Sequence, residues 1–275
     1  MHIQLIAADL DGTLLNEHSR LSAYTAEVLA HCAAQNIKLV AATGRAYSAM
    51  PACIAESGLF DYAITSNGAA IYDIRRKTLL QNYVLSADSA QPLINYALSE
   101  HLGLELICGG TAYGEGYYFD HPEDFLFNQR SIDYLRSTRT RIENLDAFLA
   151  SNLARLESID FVLPAGRETE TIRAQFECDN RLYITSSHAR ILEFSAAGCG
   201  KAGALRYLLK REHLTTDVLA CFGNAENDLE MIHLAAVGVA VANSSPEVLA
   251  QVPLHCSDCN ADGVAKFIAK HLHIS

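Results

Sequence analysis

Near the amino terminus the chain reads Ile3-Gln4-Leu5-Ile6-Ala7-Ala8-Asp9-Leu10-Asp11-Gly12-Thr13-Leu14. The first six residues are short and almost wholly apolar, as a strand buried on both faces of a parallel sheet requires. The strand runs straight into two carboxylates two positions apart. Ligands of open α/β sheets bind beyond the carboxyl ends of the strands, and a chain that turns at Gly12 can aim both acids at one point. A calcium loop would need further acids at spaced positions, but Leu14, Leu15 and Asn16 follow. An Asp-Gly turn with capping acids is the competing reading, and it is less common directly after a buried strand.

Strands and helices alternate on both sides of a distinct middle. Residues 22–35 have helical periodicity with Ser22 as N-cap, 37–42 form a second buried strand, 46–56 a second helix and 62–65 a third strand. The carboxyl-terminal part repeats the pattern. It has a helix over 201–212, a strand over 217–222, a helix over 226–234, a strand over 238–241, and closing helices over 246–251 and 262–272. Such alternation with short links means parallel βαβ units and right-handed crossovers. From about residue 83 to 190 the chain is more polar. Strand-like pieces at 104–108, 159–163 and 182–185 alternate there with helix-like pieces at 87–101 and 167–177. These patterns predict an α/β protein: a Rossmann-like parallel-sheet core of residues 1–82 and 191–275, with an inserted α+β domain of residues 83–190.

The chain has 275 residues, more than one doubly wound domain usually needs. Half of them are hydrophobic and 19% are charged, which excludes wholesale disorder. Basic residues number 21 against 32 acidic, a net charge of −11, and no run of Lys or Arg interrupts it. Such a chain is not suited to tracking a nucleic-acid backbone. The first residues lack the basic segment of a signal peptide. The longest apolar stretch, 234–242, is too short to span a bilayer. A cytoplasmic protein without membrane or nucleic-acid partners is expected, either a monomer or a homodimer. The 8 cysteines are scattered, as free thiols in a reducing compartment would be.

Three more polar clusters lie where strands end. Thr43-Gly44-Arg45 follows the second strand, and a hydroxyl beside a Gly amide can cradle a phosphate, although Thr-Gly is also ordinary turn chemistry. Lys201 opens a helix after Gly198-Cys199-Gly200. A P-loop is excluded there, because position 195 is Ser and position 202 is Ala. Gly223-Asn224-Ala225-Glu226-Asn227-Asp228 follows a fourth strand, and Glu226 suits a helix N-terminus.

The four clusters, in this order, resemble those of the haloacid dehalogenase superfamily, and specifically its Cof-type (subclass IIB) phosphatases. Asp9-Leu10-Asp11-Gly12-Thr13-Leu14 is similar to the first motif of that family, Thr43-Gly44-Arg45 to the second and Lys201 to the third. Gly223-Asn224 through Asn227-Asp228 to Met231 is similar to the fourth. Ser66-Asn67-Gly68-Ala69, Leu192-Glu193, Ala242-Asn243 and Asp262-Gly263-Val264-Ala265 are smaller matches. The middle segment carries no readable motif, but its place after the second motif resembles a C2-type cap. The resemblance implies a hydrolase that cleaves a small phosphorylated metabolite, such as a sugar phosphate or a phosphorylated cofactor, with Mg²⁺. Asp9 would be the nucleophile that becomes an aspartyl-phosphate, and Asp11 the general acid and base. Thr43 and Lys201 would complete the catalytic set, with Gly44, Arg45, Asn67 and Asn227 around the phosphate. Asp9, Asp11, Asn224 and Asp228 would hold the metal. The cap would close over the site and read the leaving group.

One residue departs from the family pattern. Asn224 stands where that family usually has an Asp ligand, and an amide oxygen brings no charge to the metal. Two alternatives therefore stand beside the phosphatase. One is a phosphotransferase or phosphomutase acting on sugar phosphates. The other is a non-catalytic binder of phosphorylated metabolites with a decayed metal site, although a binder has no use for a nucleophile–acid pair. Cys256-Ser257-Asp258-Cys259 could join His255, His271 or His273 at zinc, but without standard ligand spacing. The Gly- and Tyr-rich residues 108–119 suit either a substrate-facing loop or a plain hairpin.

Overall fold

The computed structural model describes residues 2–125 and 128–271. The chain forms two compact units. One comprises Met1–Gly44, Met50–Gln81 and Gly200–Ser275, the other Arg45–Ala49 and Asn82–Cys199.

The strands are, in chain order, β1 (Leu5–Ala8), β2 (Lys38–Ala42), β3 (Tyr62–Thr65), β4 (Ala70–Asp73) and β5 (Thr78–Asn82). Then come β6 (Gly103–Cys108), β7 (Thr111–Gly114), β8 (Thr140–Arg141), β9 (Leu156–Val162), β10 (Leu182–His188) and β11 (Ile191–Ala196). The last three are β12 (Leu219–Gly223), β13 (Val237–Val241) and β14 (Leu254–Cys256).

In the first unit the order is β14-β13-β12-β1-β2-β3-β4-β5. From β14 to β3 the strands are parallel, and β4 runs antiparallel to β3. β1 is central, with Leu5 opposite both Leu219 and Lys38 and Ala8 opposite both Phe222 and Ala41. All four of its residues are buried, which is why the sequence shows an unbroken apolar run there. Ser22 caps the helix Ala23–Ala34 by accepting from Thr25 N at 3.0 Å, a contact worth about 1 kcal/mol. Its hydroxyl also donates to Asp262 Oδ1 at 2.5 Å, fastening this helix to the start of the helix Gly263–His271. Leu272, expected to end that helix, and His273 lie outside the described residues.

Two expected elements differ. The helix over 46–56 is broken into a 3-10 turn, Tyr47–Ala49, and one α-helical turn, Ala52–Ala55. Pro51 between them has no N–H to donate and disfavours helical geometry at Met50. The strand over 217–222 starts late, because Thr216–Val218 forms a 3-10 turn.

In the second unit the order is β10-β11-β9-β6-β7-β8. The segment from 191, expected to belong to the parallel-sheet core, is instead β11 here, antiparallel to both β9 and β10. Alternation explains the placement. Leu192 and Phe194 point into an apolar core with Leu104, Leu106, Ile159 and Phe161, and all six are fully buried. The opposite face is polar and also buried. Glu105 pairs in register with Asp160, and Asp160 with Glu193, so three carboxyls form one row across β6, β9 and β11. Arg139 Nη2 meets Glu105 Oε2 at 2.7 Å, and the Tyr118 hydroxyl donates to Glu105 Oε1 at 2.9 Å. Burial, with Glu193 and Glu105 alongside, pushes Asp160 well above the usual carboxylate range. Within residues 108–119, β6 and β7 form the hairpin that was one of the two readings, and Gly116–Asp120 is helical.

Candidate active site

Because β1, β2 and β12 are parallel and in register, the residues that follow them emerge side by side. Asp9 N continues the ladder to Phe222 O at 2.9 Å, and Thr43 N to Ile64 O at 2.8 Å. Asp9 and Thr43 are buried while Asp11 is exposed, so the two acids of the first cluster sit in different environments. Gly44 is half-buried at the end of β2.

Lys201 is the first residue of the helix Lys201–Arg211, and its side chain is fully buried. Nζ donates to Asp9 Oδ1 at 2.8 Å and to Asp228 Oδ1 at 2.6 Å. The other Asp228 oxygen accepts the main-chain N–H groups of Asn224 (2.8 Å) and Ala225 (3.0 Å). A Cβ at position 223 would lie 2.3 Å from Asp228 Cβ, so only Gly lets β12 pass this carboxylate. Burial pushes the Asp9 carboxyl up to about 7, Lys201 opposes that shift, and Asp228 and Asp11 add to it. Burial would pull the Lys201 ammonium down, but Asp228 and Asp9 together raise it and keep it protonated.

Two residues that the motifs contain, but to which the motif reading gave no role, complete the loops. The Thr13 hydroxyl donates to Asn224 Oδ1 at 3.0 Å. Asn243 Nδ2 donates to Gly12 O at 2.7 Å, while its Oδ1 accepts Cys259 N at 3.0 Å. The place of Asn243 directly after a buried strand was the available signal. Asn227 Nδ2 donates to Asn67 Oδ1 at 2.9 Å, and both residues are buried.

The structure thus joins Asp9, Lys201 and Asp228 by direct bonds, joins Asn67 to Asn227, and places Thr43, Gly44, Asp11 and Asn224 on adjoining loops. Arg45 goes elsewhere. It belongs to the second unit, where its guanidinium donates to Ala49 O at 2.9 Å and lies 4.9 Å above the Tyr134 ring. Arg139 stacks on the same ring at 4.8 Å. Of the proposed zinc ligands, His255 bonds the Val252 carbonyl at 2.8 Å, and burial pushes Cys256 up to about 12. A cavity of about 450 Å³ also opens at the amino ends of β2 and β3, where Lys38 and Arg75 pair with Asp61, and Arg76 with Asp73.

The donor set fits a small hard cation. Among the described residues no three His, Cys, Asp or Glu side chains converge as a cage. What the strand ends offer is oxygen: the Asp9 carboxylate, the Asp11 main chain and the Asn224 amide. Mg²⁺ takes oxygen ligands, commonly one or two carboxylates, and retains several waters.

Fold and strand-end cluster together define a parallel-sheet α/β core with carboxylates and a buried lysine gathered at its strand ends. The sequence profile of the haloacid dehalogenase-like hydrolases matches residues 6–268, and the chain belongs to that family. It is an enzyme of the phosphoric monoester hydrolase class, and its curated relatives include named phosphatases. The HMP-PP phosphatase of Serratia proteamaculans is 28% identical over 256 residues, covering 91% of this chain and 88% of that protein. The pyridoxal phosphate phosphatase YbhA of Escherichia coli is 26% identical, covering 99% of this chain and 100% of its own length. A solved haloacid dehalogenase-like hydrolase from B. subtilis shares the fold with a TM-score of 0.86 and 25% identity, covering 98% of this chain and 100% of that one. Among the described residues no helix is long and apolar enough to cross a membrane.

Proposed function

We propose that this chain hydrolyses small phosphorylated metabolites through an aspartyl-phosphate on Asp9, with Mg²⁺ as cofactor. The observation that supports this reading is the buried Lys201 ammonium, 2.8 Å from Asp9 and 2.6 Å from Asp228, at the carboxyl end of the central strand. A fixed cation there opposes the effect of burial on Asp9 and favours its ionised, nucleophilic form.

An Asp9 oxygen attacks phosphorus, and the bond from phosphorus to the ester oxygen breaks. Asp11, exposed at the turn, gives its proton to the departing alkoxide. It then takes a proton from water, whose oxygen attacks the same phosphorus. The bond to Asp9 breaks, which returns the carboxylate and releases inorganic phosphate. Thr43, the Gly44 amide and Lys201 hold the phosphoryl oxygens and balance the charge that builds on them. Asp9, the Asp11 main-chain carbonyl and Asn224 would hold Mg²⁺, with Asp228 set behind them. The ion supplies Lewis-acid stabilisation of phosphoryl charge.

Pyridoxal phosphate and HMP-PP, which give two relatives their names, and sugar phosphates are the first candidate substrates. The test is phosphate release across sugar phosphates, nucleotides, FMN, HMP-PP and pyridoxal phosphate, with Asp9→Asn as the control. Release that survives Asp9→Asn unchanged would sink the mechanism. A phosphorylated sugar product in place of inorganic phosphate would make the chain a transferase.

A further inference from the structure

Ser66, Asn67 and Gly68, directly after β3, are three consecutive left-handed residues with φ of +50°, +50° and +94°. Two of them carry side chains, and such backbone is costly and persists only where its surroundings hold it. The holding contacts are specific. Asn67 N donates to Thr43 O at 3.2 Å, and Asn67 O accepts Gly200 N at 2.9 Å. Asn67 Oδ1 accepts Asn227 Nδ2 at 2.9 Å. One residue therefore bonds the loop of Thr43, the residue before Lys201 and the residue before Asp228. Gly68 packs main chain against main chain, since a Cβ there would sit 2.3 Å from Gly200 O. Gly200 is the N-cap of the helix that Lys201 opens.

The Asn227 amide depends on this bond. Its Oδ1 has no hydrogen-bond partner among the described residues, and the residue is 4% exposed. The Asn67 contact is then what sets the orientation of that amide, next in sequence to the Asp228 carboxylate that holds Lys201.

We infer that Asn67 is a positioning residue: its amide and main chain fix Thr43, Lys201 and the Asn227-Asp228 pair relative to Asp9, without touching the phosphate. The inference rests on the phosphatase reading above. Asn67 is 2% exposed and its amide oxygen is taken by Asn227, which suits an internal tie better than a ligand of the substrate. Errors of about 1 Å in such settings cost roughly 10²-fold in rate.

Asn67→Gly is the test, because Gly keeps the left-handed backbone and both main-chain bonds and removes only the amide. With p-nitrophenyl phosphate and saturating Mg²⁺, kcat should fall roughly 10- to 100-fold. KM and inhibition by inorganic phosphate should stay near the wild-type values. Asn227→Ala should lower kcat similarly, and the double variant should be no slower than the worse single one, as residues acting as one unit behave. Gly68→Ala should be slower still, or fail to fold, and Asn67→Gly then carries the test. An unchanged kcat in folded Asn67→Gly, additive losses in the double variant, or a loss seen mainly in KM and phosphate inhibition would each overturn the inference. A wild type that is silent on every ester would sink the phosphatase reading and this proposal with it. An active wild type with an unimpaired Asn67→Gly sinks the proposal alone.

Discussion

Lys201 Nζ lies 2.6 Å from Asp228 Oδ1, and neither side chain reaches solvent. Removing one member of such a pair strands a buried charge, at a cost of about 3–5 kcal/mol. Lys201→Met should therefore destabilise the protein by about that amount in urea unfolding. The double variant Lys201→Met/Asp228→Asn should lose clearly less than the two single losses added. Additivity within about 0.5 kcal/mol would show that the two residues do not depend on each other.

Asp9 and Asp11 should separate in kinetics as they do in burial. Asp9→Asn should abolish both turnover and covalent phosphorylation. Asp11→Asn should leave a phosphorylated enzyme that turns over roughly 10²–10⁴ times more slowly, the usual worth of general acid–base catalysis. Intact-mass measurement after mixing with substrate distinguishes the two. A phosphorylated Asp9→Asn protein would remove Asp9 from the nucleophile role.

Asn224 bears on metal affinity. Its Oδ1 accepts the Thr13 hydroxyl at 3.0 Å, so one lone pair is already engaged. An Asp at this position would add a charge that strengthens attraction to a divalent ion in a partly desolvated site. Asn224→Asp should lower the Mg²⁺ concentration needed for half-maximal activity and tighten Mg²⁺ in calorimetry. The competing account is a neutral ligand fully compensated by Asp228. Equal half-saturation in wild type and variant would favour that account.

Much of the strand-end cluster was legible in the sequence because strand ends in a parallel sheet coincide. Once β1, β2 and β12 were recognised as buried apolar runs, Asp9, Thr43 and Asn224 had to emerge together. Lys201 was placed by its likeness to a family motif, since a lone Lys at a helix start is ordinarily solvated, whereas here it is buried between two carboxylates. The fate of Arg45 was not legible: its partners, Tyr134 and Ala49, lie in the second unit, and no local pattern names a stacking ring 89 positions away. The limit at residue 191 was missed for a similar reason. Ile191–Ala196 has the apolar alternation of any strand, and only its pairing with β9 and β10 says which sheet owns it. Asn67 was singled out, but its bonds to Thr43, Gly200 and Asn227 are long-range.

Asp160, set between Glu105 and Glu193 across β6, β9 and β11, makes the second unit sensitive to pH. Burial is the main reason the Asp160 carboxyl is raised, Glu193 and Glu105 add to it, and the Ser158 hydroxyl and Arg139 oppose it. In the unfolded chain this group titrates at about 3.9. A carboxyl whose folded pKa is raised binds its proton more tightly in the folded state. The stability it lends is therefore fully present below the unfolded value and is lost as pH climbs through the folded one. Asp160→Asn is neutral at every pH, and its amide oxygen can still accept the Ser158 hydroxyl, now 2.5 Å away. The variant should resemble wild type near pH 4 and be more stable near pH 8, where wild type must either ionise Asp160 in a dry site or retain the proton at a cost. Hydrogen exchange of the β9 amides at the two pH values reads this locally, so the first unit does not mask it. If Arg139 instead holds the whole row ionised, Asp160→Asn would lower β9 protection at pH 8, and that result would reverse the sign of the prediction.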